Sequence, residues 1–158
     1  MYEEKTKNQL KKARVIADYQ FGWGAGTILF PVTVEFILSK TSRIAQIRDD
    51  GVRIATLRTL DGVFTLSIEG AERLRRFFPY PKLRVVMNEE SSEYVRKGGT
   101  AFCKHVIDAD AEIRAYDEVI LVDVGDKLLA TGRAILSPEE MDMFNHGVAV
   151  KVRYGVEK

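Results

Sequence analysis

RVVMNEESSEYVRKGGTAFCKHV, residues 84–106, holds three changes of backbone conformation in one short stretch. The β-branched run in LRVVM predicts a strand. Asn88 follows, with a short polar side chain that can accept from the free N–H groups of a first helical turn, so the spacing predicts a helix from there through Lys97. Gly98 and Gly99 end it, because glycine takes the left-handed conformation at a helix C-terminus without a steric penalty. TAFCKHV then resumes as an extended segment, with Cys103 and His105 on one face and Lys104 on the other if it stays a strand.

Towards the C-terminus, EVILVD and LLATGRAIL are predicted strands joined by a turn at Gly125-Asp126. Ser137 and Pro138 open a short helix over SPEEMDMF, as N-cap and first helical residue. VAVKVRYGV closes the chain as a strand. Short strands with two intervening short helices predict a small mixed barrel.

Towards the N-terminus the pattern differs. Leu10, Ala13 and Ala17 share one face of a predicted helix from Glu4 to Asp18, with Lys7, Lys11 and Arg14 as a basic stripe elsewhere on it. Phe21-Gly22-Trp23-Gly24-Ala25-Gly26 breaks that helix. TILFPVTVEFILSK reads as extended, with Val32, Val34, Phe36 and Leu38 alternating with other residues. RIAQIR and VRIATLR form a hairpin across Asp49-Asp50-Gly51. VFTLS is a further strand, and Ser67 caps a helix over 68–78 with Ala71, Leu74 and Phe78 on one face. Pro79 and Pro81 end it. The expected domains are 1–82 and 83–158, the whole being α+β.

The formal net charge of +1 conceals an asymmetry: residues 1–82 carry 14 Lys/Arg against 9 Asp/Glu, and residues 83–158 carry 10 against 14. The basic half suits a phosphate backbone, with two ordinary solvated surfaces as the alternative; if a nucleic acid is the partner, Arg73 and Arg76 join the first helix's stripe in guiding it. No apolar stretch reaches the ~18 residues that span a bilayer, and the first residues are charged, so no membrane association and a cytoplasmic location are expected. The single cysteine excludes an internal disulfide.

The residues offer little catalytic chemistry. A dinucleotide fingerprint needs G-x-G-x-x-G between a strand and a helix; here the spacing is G-x-G-x-G, so a glycine bend allowing close backbone packing is expected instead. Trp23 can stack on a base, but a place in the core or in a contact between domains is the stronger expectation. Cys103, His105 and Asp108 lack an oxyanion-hole motif, and His105 and His146 lie too far apart in sequence to suggest a metal set. Asp108, Asp110, Glu112, Asp117 and Glu118 read as a solvated acidic loop. No catalytic residue, cofactor or metal is expected.

Three blocks then stand in order over the second half: residues 84–106, Asp117-Glu118-Val119 with LLATGRA at 128–134, and Gly147-x-Ala-Val-Lys-Val-Arg to Arg153. Together they resemble the PUA domain, the RNA-binding module named after pseudouridine synthases and the archaeosine transglycosylase. The first half, through ADYQFGWGAGTILFP, Ser39-Lys40-Thr41-x-Arg43 and RTLDGVFTLSIEGAERL, resembles the domain that precedes PUA in archaeosine tRNA-guanine transglycosylase. That resemblance implies an archaeal, non-enzymatic RNA-binding protein, its partner tRNA or another structured RNA, supporting RNA modification, with a modifying enzyme in trans as a possible partner and no DNA. An assembly module without RNA affinity is the alternative. In the family, RNA lies against the face around the first PUA helix and second strand. The implied contacts are Arg96, Lys97, Gly98, Gly99, Lys104, His105, Lys151 and Arg153. The glycine pair is expected to present open backbone to a sugar-phosphate chain.

Overall fold

The computed structural model describes residues 2–157. The chain divides into two compact units, 1–77 and 78–158.

The first unit opens with helix α1 (Tyr2–Phe21), which buries Ala13, Ala17 and Phe21, one residue per turn. The glycine segment departs from the expected bend into a strand. Gly24, at φ +94°, leads into a second helix, α2 (Ala25–Leu29), and the strand β1 starts only at Glu35 (Glu35–Leu38). The reason is packing: a β-carbon on Gly26 would collide with the Arg14 carbonyl, so glycine lets α2 lie directly on α1. The Asp18 carboxylate accepts from the Gly26 N–H at 2.7 Å. The close-packing role expected of these glycines holds, while Val32 is left exposed and outside any strand.

Strands β2 (Ile44–Asp49) and β3 (Val52–Leu57) form the expected hairpin, its turn made by Asp50 and Gly51, both at positive φ. With β1 and β4 (Phe64–Leu66) they make an antiparallel sheet in the order β1-β2-β3-β4. Ser67 caps α3 (Ile68–Phe77), its hydroxyl accepting from the Gly70 N–H at 3.0 Å. Phe30, Ile47, Ile54, Phe64, Leu66 and Leu74 fill the core of this unit with no exposure.

The second unit is a curled six-stranded mixed sheet. Its strands are β5 (Arg84–Met87), β6 (Ala101–Phe102), β7 (Val106–Ala109), β8 (Glu118–Val122), β9 (Leu128–Ala134) and β10 (Val148–Gly155), in the order β6-β10-β9-β8-β5-β7. Only β5 and β8 run parallel. Helices α4 (Glu89–Arg96) and α5 (Pro138–Met143) complete it, giving the α+β barrel with two short helices that the sequence implies. Val85, Met87, Val95, Leu121, Leu129 and Met141 meet in its core. α5 begins with the expected Ser137, closed into a reciprocal capping box with Glu140.

Two expectations fail here, the second in part. TAFCKHV is not one strand: β6 stops at Phe102, and Cys103–His105 form a 3₁₀ turn whose first N–H donates to the Gly147 carbonyl. The acidic segment is a solvated loop only in part: Asp108, Glu112 and Asp117 are exposed, while the others are drawn in. Asp110 is buried and accepts from the Leu83 N–H at 2.8 Å, Asp108 accepts from the Tyr80 hydroxyl at 2.7 Å, and Glu118 is buried against Arg153. Carboxylates with fixed donors of this kind tie the strand connections together. No described helix is long and apolar enough to cross a membrane.

Candidate nucleic-acid interface

The segment after α4 is built from its caps outward. Asn88 Oδ1 accepts from the Ser91 N–H at 3.0 Å, and the Asn88 carbonyl accepts from the Ser92 hydroxyl at 2.8 Å. At the other end, the Gly98 N–H donates to the Val95 carbonyl and the Gly99 N–H to the Tyr94 carbonyl, both at 2.9 Å, with Gly98 at φ +97°. This pair of bonds is the Schellman closure, and it fixes the direction in which Arg96 and Lys97 leave the helix.

The turn also rests on the end of β10. The Arg96 carbonyl accepts from the Glu157 N–H at 3.0 Å, and a β-carbon on Gly155 would collide with that same carbonyl. Gly99 does not offer the open backbone expected of the glycine pair. The Tyr94 ring lies over Gly99 so closely that a β-carbon there would strike it. Tyr94 is itself half exposed, so the surface next to Gly99 is an aromatic one.

The expected contact residues are not one patch. Arg96–Gly99 stand beside the C-terminal end of β10, while the turn carrying Lys104 and His105 stands beside its N-terminal end, where Phe102 pairs with Val148. Seven residue steps of strand separate those ends, up to roughly 23 Å at 3.3 Å per residue. Lys151 lies between them on β10, exposed.

Their chemical availability differs too. Lys97 bonds Glu93 one turn back at 3.0 Å, and this ammonium holds the Glu93 carboxyl below its usual range; both side chains face solvent, where such a pair exchanges readily. Arg96 approaches Glu157 at 3.8 Å. Lys104 and Lys151 are exposed and make no ion pair with a described carboxylate. His105 is drawn inward, its Nδ1 3.1 Å from Asn88 Nδ2 and its carbonyl accepting from the Asn88 N–H. Arg153 is held differently again: one terminal nitrogen reaches both oxygens of Glu118, at 2.6 and 2.7 Å, and the Glu118 side chain is only 4% exposed.

One residue escaped the sequence reading. Arg133 on β9 stands in register with Lys151 on β10 and Glu118 on β8. Its guanidinium lies 4.8 Å from the centre of the exposed Tyr116 ring, and its Nε is buried without a hydrogen-bond partner. The arginine of LLATGRA, in a strand beside Lys151, is the signal that marks it. Cys103 is buried as expected, and burial pushes its thiol pKa up, which disfavours the reactive thiolate. Trp23, in the other unit, is 89% exposed, which excludes the core place among its expected ones.

Residues 11–81 match the patch-forming domain C2 of tRNA-guanine transglycosylase, and residues 83–156 match the PUA domain. The chain is 46% identical over 157 residues to the tRNA-guanine(15) transglycosylase of Thermococcus kodakarensis, covering 99% of this chain and 27% of that enzyme. The counterpart from Methanothermobacter thermautotrophicus is 48% identical over 153 residues, covering 96% and 23%. The chain thus spans about a quarter of the length of the curated relatives it matches. The match lies in their non-catalytic C2 and PUA domains, and these 158 residues hold no catalytic domain of the transglycosylase. Among solved structures, a hypothetical protein of Pyrococcus horikoshii has the same fold, with a TM-score of 0.74 at 22% identity, covering 96% of this chain and 92% of that one. A conserved PUA domain protein from Thermoplasma acidophilum follows at 0.64 and 16%, covering 94% and 91%.

Proposed function

We propose, from the premise that this chain belongs with the C2-plus-PUA region of the archaeal tRNA-guanine transglycosylases, that it is an RNA-binding protein accessory to tRNA modification. It takes tRNA or another structured RNA through phosphate contacts. Three solvent-facing lysines on the PUA domain, Lys97, Lys104 and Lys151, carry this reading. They are spread along β10 over a distance that suits several phosphates of one strand rather than a single small anion. Arg96 adds a fourth cation at the helix end. Tyr94 and Tyr116 offer exposed aromatic surface beside them.

The contacts are of a kind that positions RNA without reading its sequence, because an ammonium bonded to a phosphate makes no reference to base edges. Arg153 and His105 leave the set of direct contacts: Arg153 neutralises a buried carboxylate, and His105 braces the cap of α4.

The test is binding of a tRNA transcript by the full chain over a range of salt. Counterion release makes log K fall linearly with log salt, by about 1 for each phosphate neutralised. Binding that weakens in this way supports the reading. A chain that ignores tRNA at all salt concentrations, yet co-purifies with one modifying enzyme, is an assembly module instead.

A further inference from the structure

α1 carries two apolar rows on opposite sides. The inner row, Ala13, Ala17 and Phe21, is buried. Its neighbours hold the helix in place: Arg14 Nε donates to the Phe30 carbonyl at 2.8 Å, and the Gln20 amide exchanges two hydrogen bonds with the Phe64 backbone, at 2.7 and 2.8 Å. Elsewhere in the unit, Arg73 ties α3 to the Leu29 carbonyl at 3.0 Å and to Asp49 at 2.9 Å. The outer row is Val15, Tyr19 and, just past the helix end, Trp23. Each stands two residues beyond a member of the inner row, about 200° further round. They are 60, 91 and 89% exposed.

The sizes are the reverse of what a monomer requires. Two of the three inner residues are alanine, and two of the three outer ones are large aromatics, on the side where an amphipathic helix ordinarily carries polar groups. The patch continues beyond α1. The half-exposed Phe77 ring lies against Gly24, next to Trp23, and Ile28 of α2 is half exposed too. A buried aromatic side chain covers about 150–250 Å², so Tyr19 and Trp23 supply roughly 350 Å², and Val15, Ile28 and Phe77 bring the patch to about 500 Å². Two such patches face to face bury about 1,000 Å², which reaches the lower bound of a specific interface.

The ridge also complements itself when reversed. Lys11 and Lys12 stand one turn before Val15, exposed and without an ion pair to a described carboxylate. An antiparallel two-fold pairing centred level with Ala17 sets Val15 of one copy against Tyr19 of the other. It also brings Lys11 and Lys12 to the level of the other copy's Trp23 ring, which attracts a cation to its face. Rows at i and i+4 are the ridges that interlock when two helices cross. The lysine pairs of the two copies then lie about 16 Å apart along the axis, beyond the ~8 Å screening length at physiological salt.

We propose that this patch is the interface of a two-fold dimer of the chain, α1 against α1, with Val15, Tyr19 and Trp23 at its centre and each Lys11–Lys12 pair against the other copy's indole. It uses none of the PUA-domain lysines and does not depend on the RNA-binding reading.

Trp23 is the one tryptophan of the sequence, so its emission reports on the patch alone. The full chain, without RNA, is followed by sedimentation equilibrium and by that emission from about 1 µM to about 1 mM. The expected result is a rise from one chain mass to two, with a blue shift of Trp23 over the same range. Tyr19→Lys should abolish both; the side chain is almost wholly exposed, so its circular dichroism and melting should match wild type. Lys11→Gln/Lys12→Gln keeps the apolar row and should weaken association about tenfold, as expected of two surface cation–π contacts. A chain that stays monomeric at about 1 mM overturns the dimer. Association unchanged by Tyr19→Lys, or equally tight in Lys11→Gln/Lys12→Gln, overturns the antiparallel pairing of α1. A blue shift that appears only when tRNA is added to a chain that remains monomeric overturns it too, and gives Trp23 to a stacked base.

Discussion

In the C-terminal unit, Arg84 and Arg153 end on Asp126 and Glu118, one member of each pair being buried, whereas in the N-terminal unit Lys12 and Arg43 line an open cleft without a carboxylate of their own among the described residues. Arg84 is 1% exposed and its guanidinium also donates to the Phe78 and Lys82 carbonyls, so it organises the start of its domain from within. The difference teaches that a charge count does not identify a binding surface. The acidic half contains exposed lysines, and the basic half contains arginines fully engaged in holding helices to strands. What decides is the partner each cation already has. Arginine's planar fork suits fixed internal acceptors, and the compact, hydrated ammonium of lysine remains at the surface in both units.

The largest effect that sharpens this contrast is structural. Arg153→Ala takes from the buried Glu118 the guanidinium nitrogen that reaches both its oxygens, and removing one member of such a pair costs about 3 kcal/mol or more. Urea unfolding should show it, with Lys151→Ala two residues away changing stability by less than about 0.5 kcal/mol. Equal, small losses in both variants would break the comparison.

A second effect separates acids that look alike in sequence. Asp110→Ala strips the Leu83 N–H of its acceptor and should cost about 1–3 kcal/mol, while Glu112→Ala, at a side chain 83% exposed, should cost next to nothing. Equal denaturation midpoints would return the acidic segment to a solvated loop.

The smallest effect depends on pH. The Thr33 hydroxyl, and after it the Arg73 guanidinium, hold the Asp49 carboxyl below its ordinary value of 3.8. A carboxyl depressed in the folded state stabilises above its unfolded pKa, and that contribution is lost as pH falls through the folded value. Thr33→Val removes the first cause. Its melting curve should lie below wild type at neutral pH and converge with it in acid below that window. A gap that persists unchanged in acid would assign the effect of Thr33 to something other than Asp49.

Local chemistry was legible in the sequence. Asn88, Gly98 and Gly99 around α4, Ser137 and Pro138 at α5, and Asp50-Gly51 in the hairpin each act on their neighbours within a few residues, and each does what its type implies. Long-range pairing was not. Nothing near Glu118 announces Arg153, which reaches it only because β8 and β10 flank β9. The helix α2 was hidden because its cause, the contact of Gly26 with Arg14, joins two segments that look independent. Trp23 stands outside the core, and the positive φ of Gly22 and Gly24 on either side of it marks the turn that leaves it exposed. For the candidate RNA contacts, residue types are legible, but availability is set by partners distant in sequence: Arg153 is held by Glu118, and the Arg133 guanidinium lies over the Tyr116 ring.

Whether exposed lysines hold the RNA is decided by the salt dependence of tRNA binding by the full chain and by Lys97→Ala/Lys104→Ala/Lys151→Ala together. These lysines are exposed, and Lys97 has only a surface partner, so the triple variant should unfold at nearly the wild-type urea concentration. Its log K against log salt should be shallower by about 3, one for each phosphate that no lysine neutralises any longer. A triple variant that stays folded and keeps the wild-type affinity and slope would show that these open lysines of the PUA domain are not what holds the RNA.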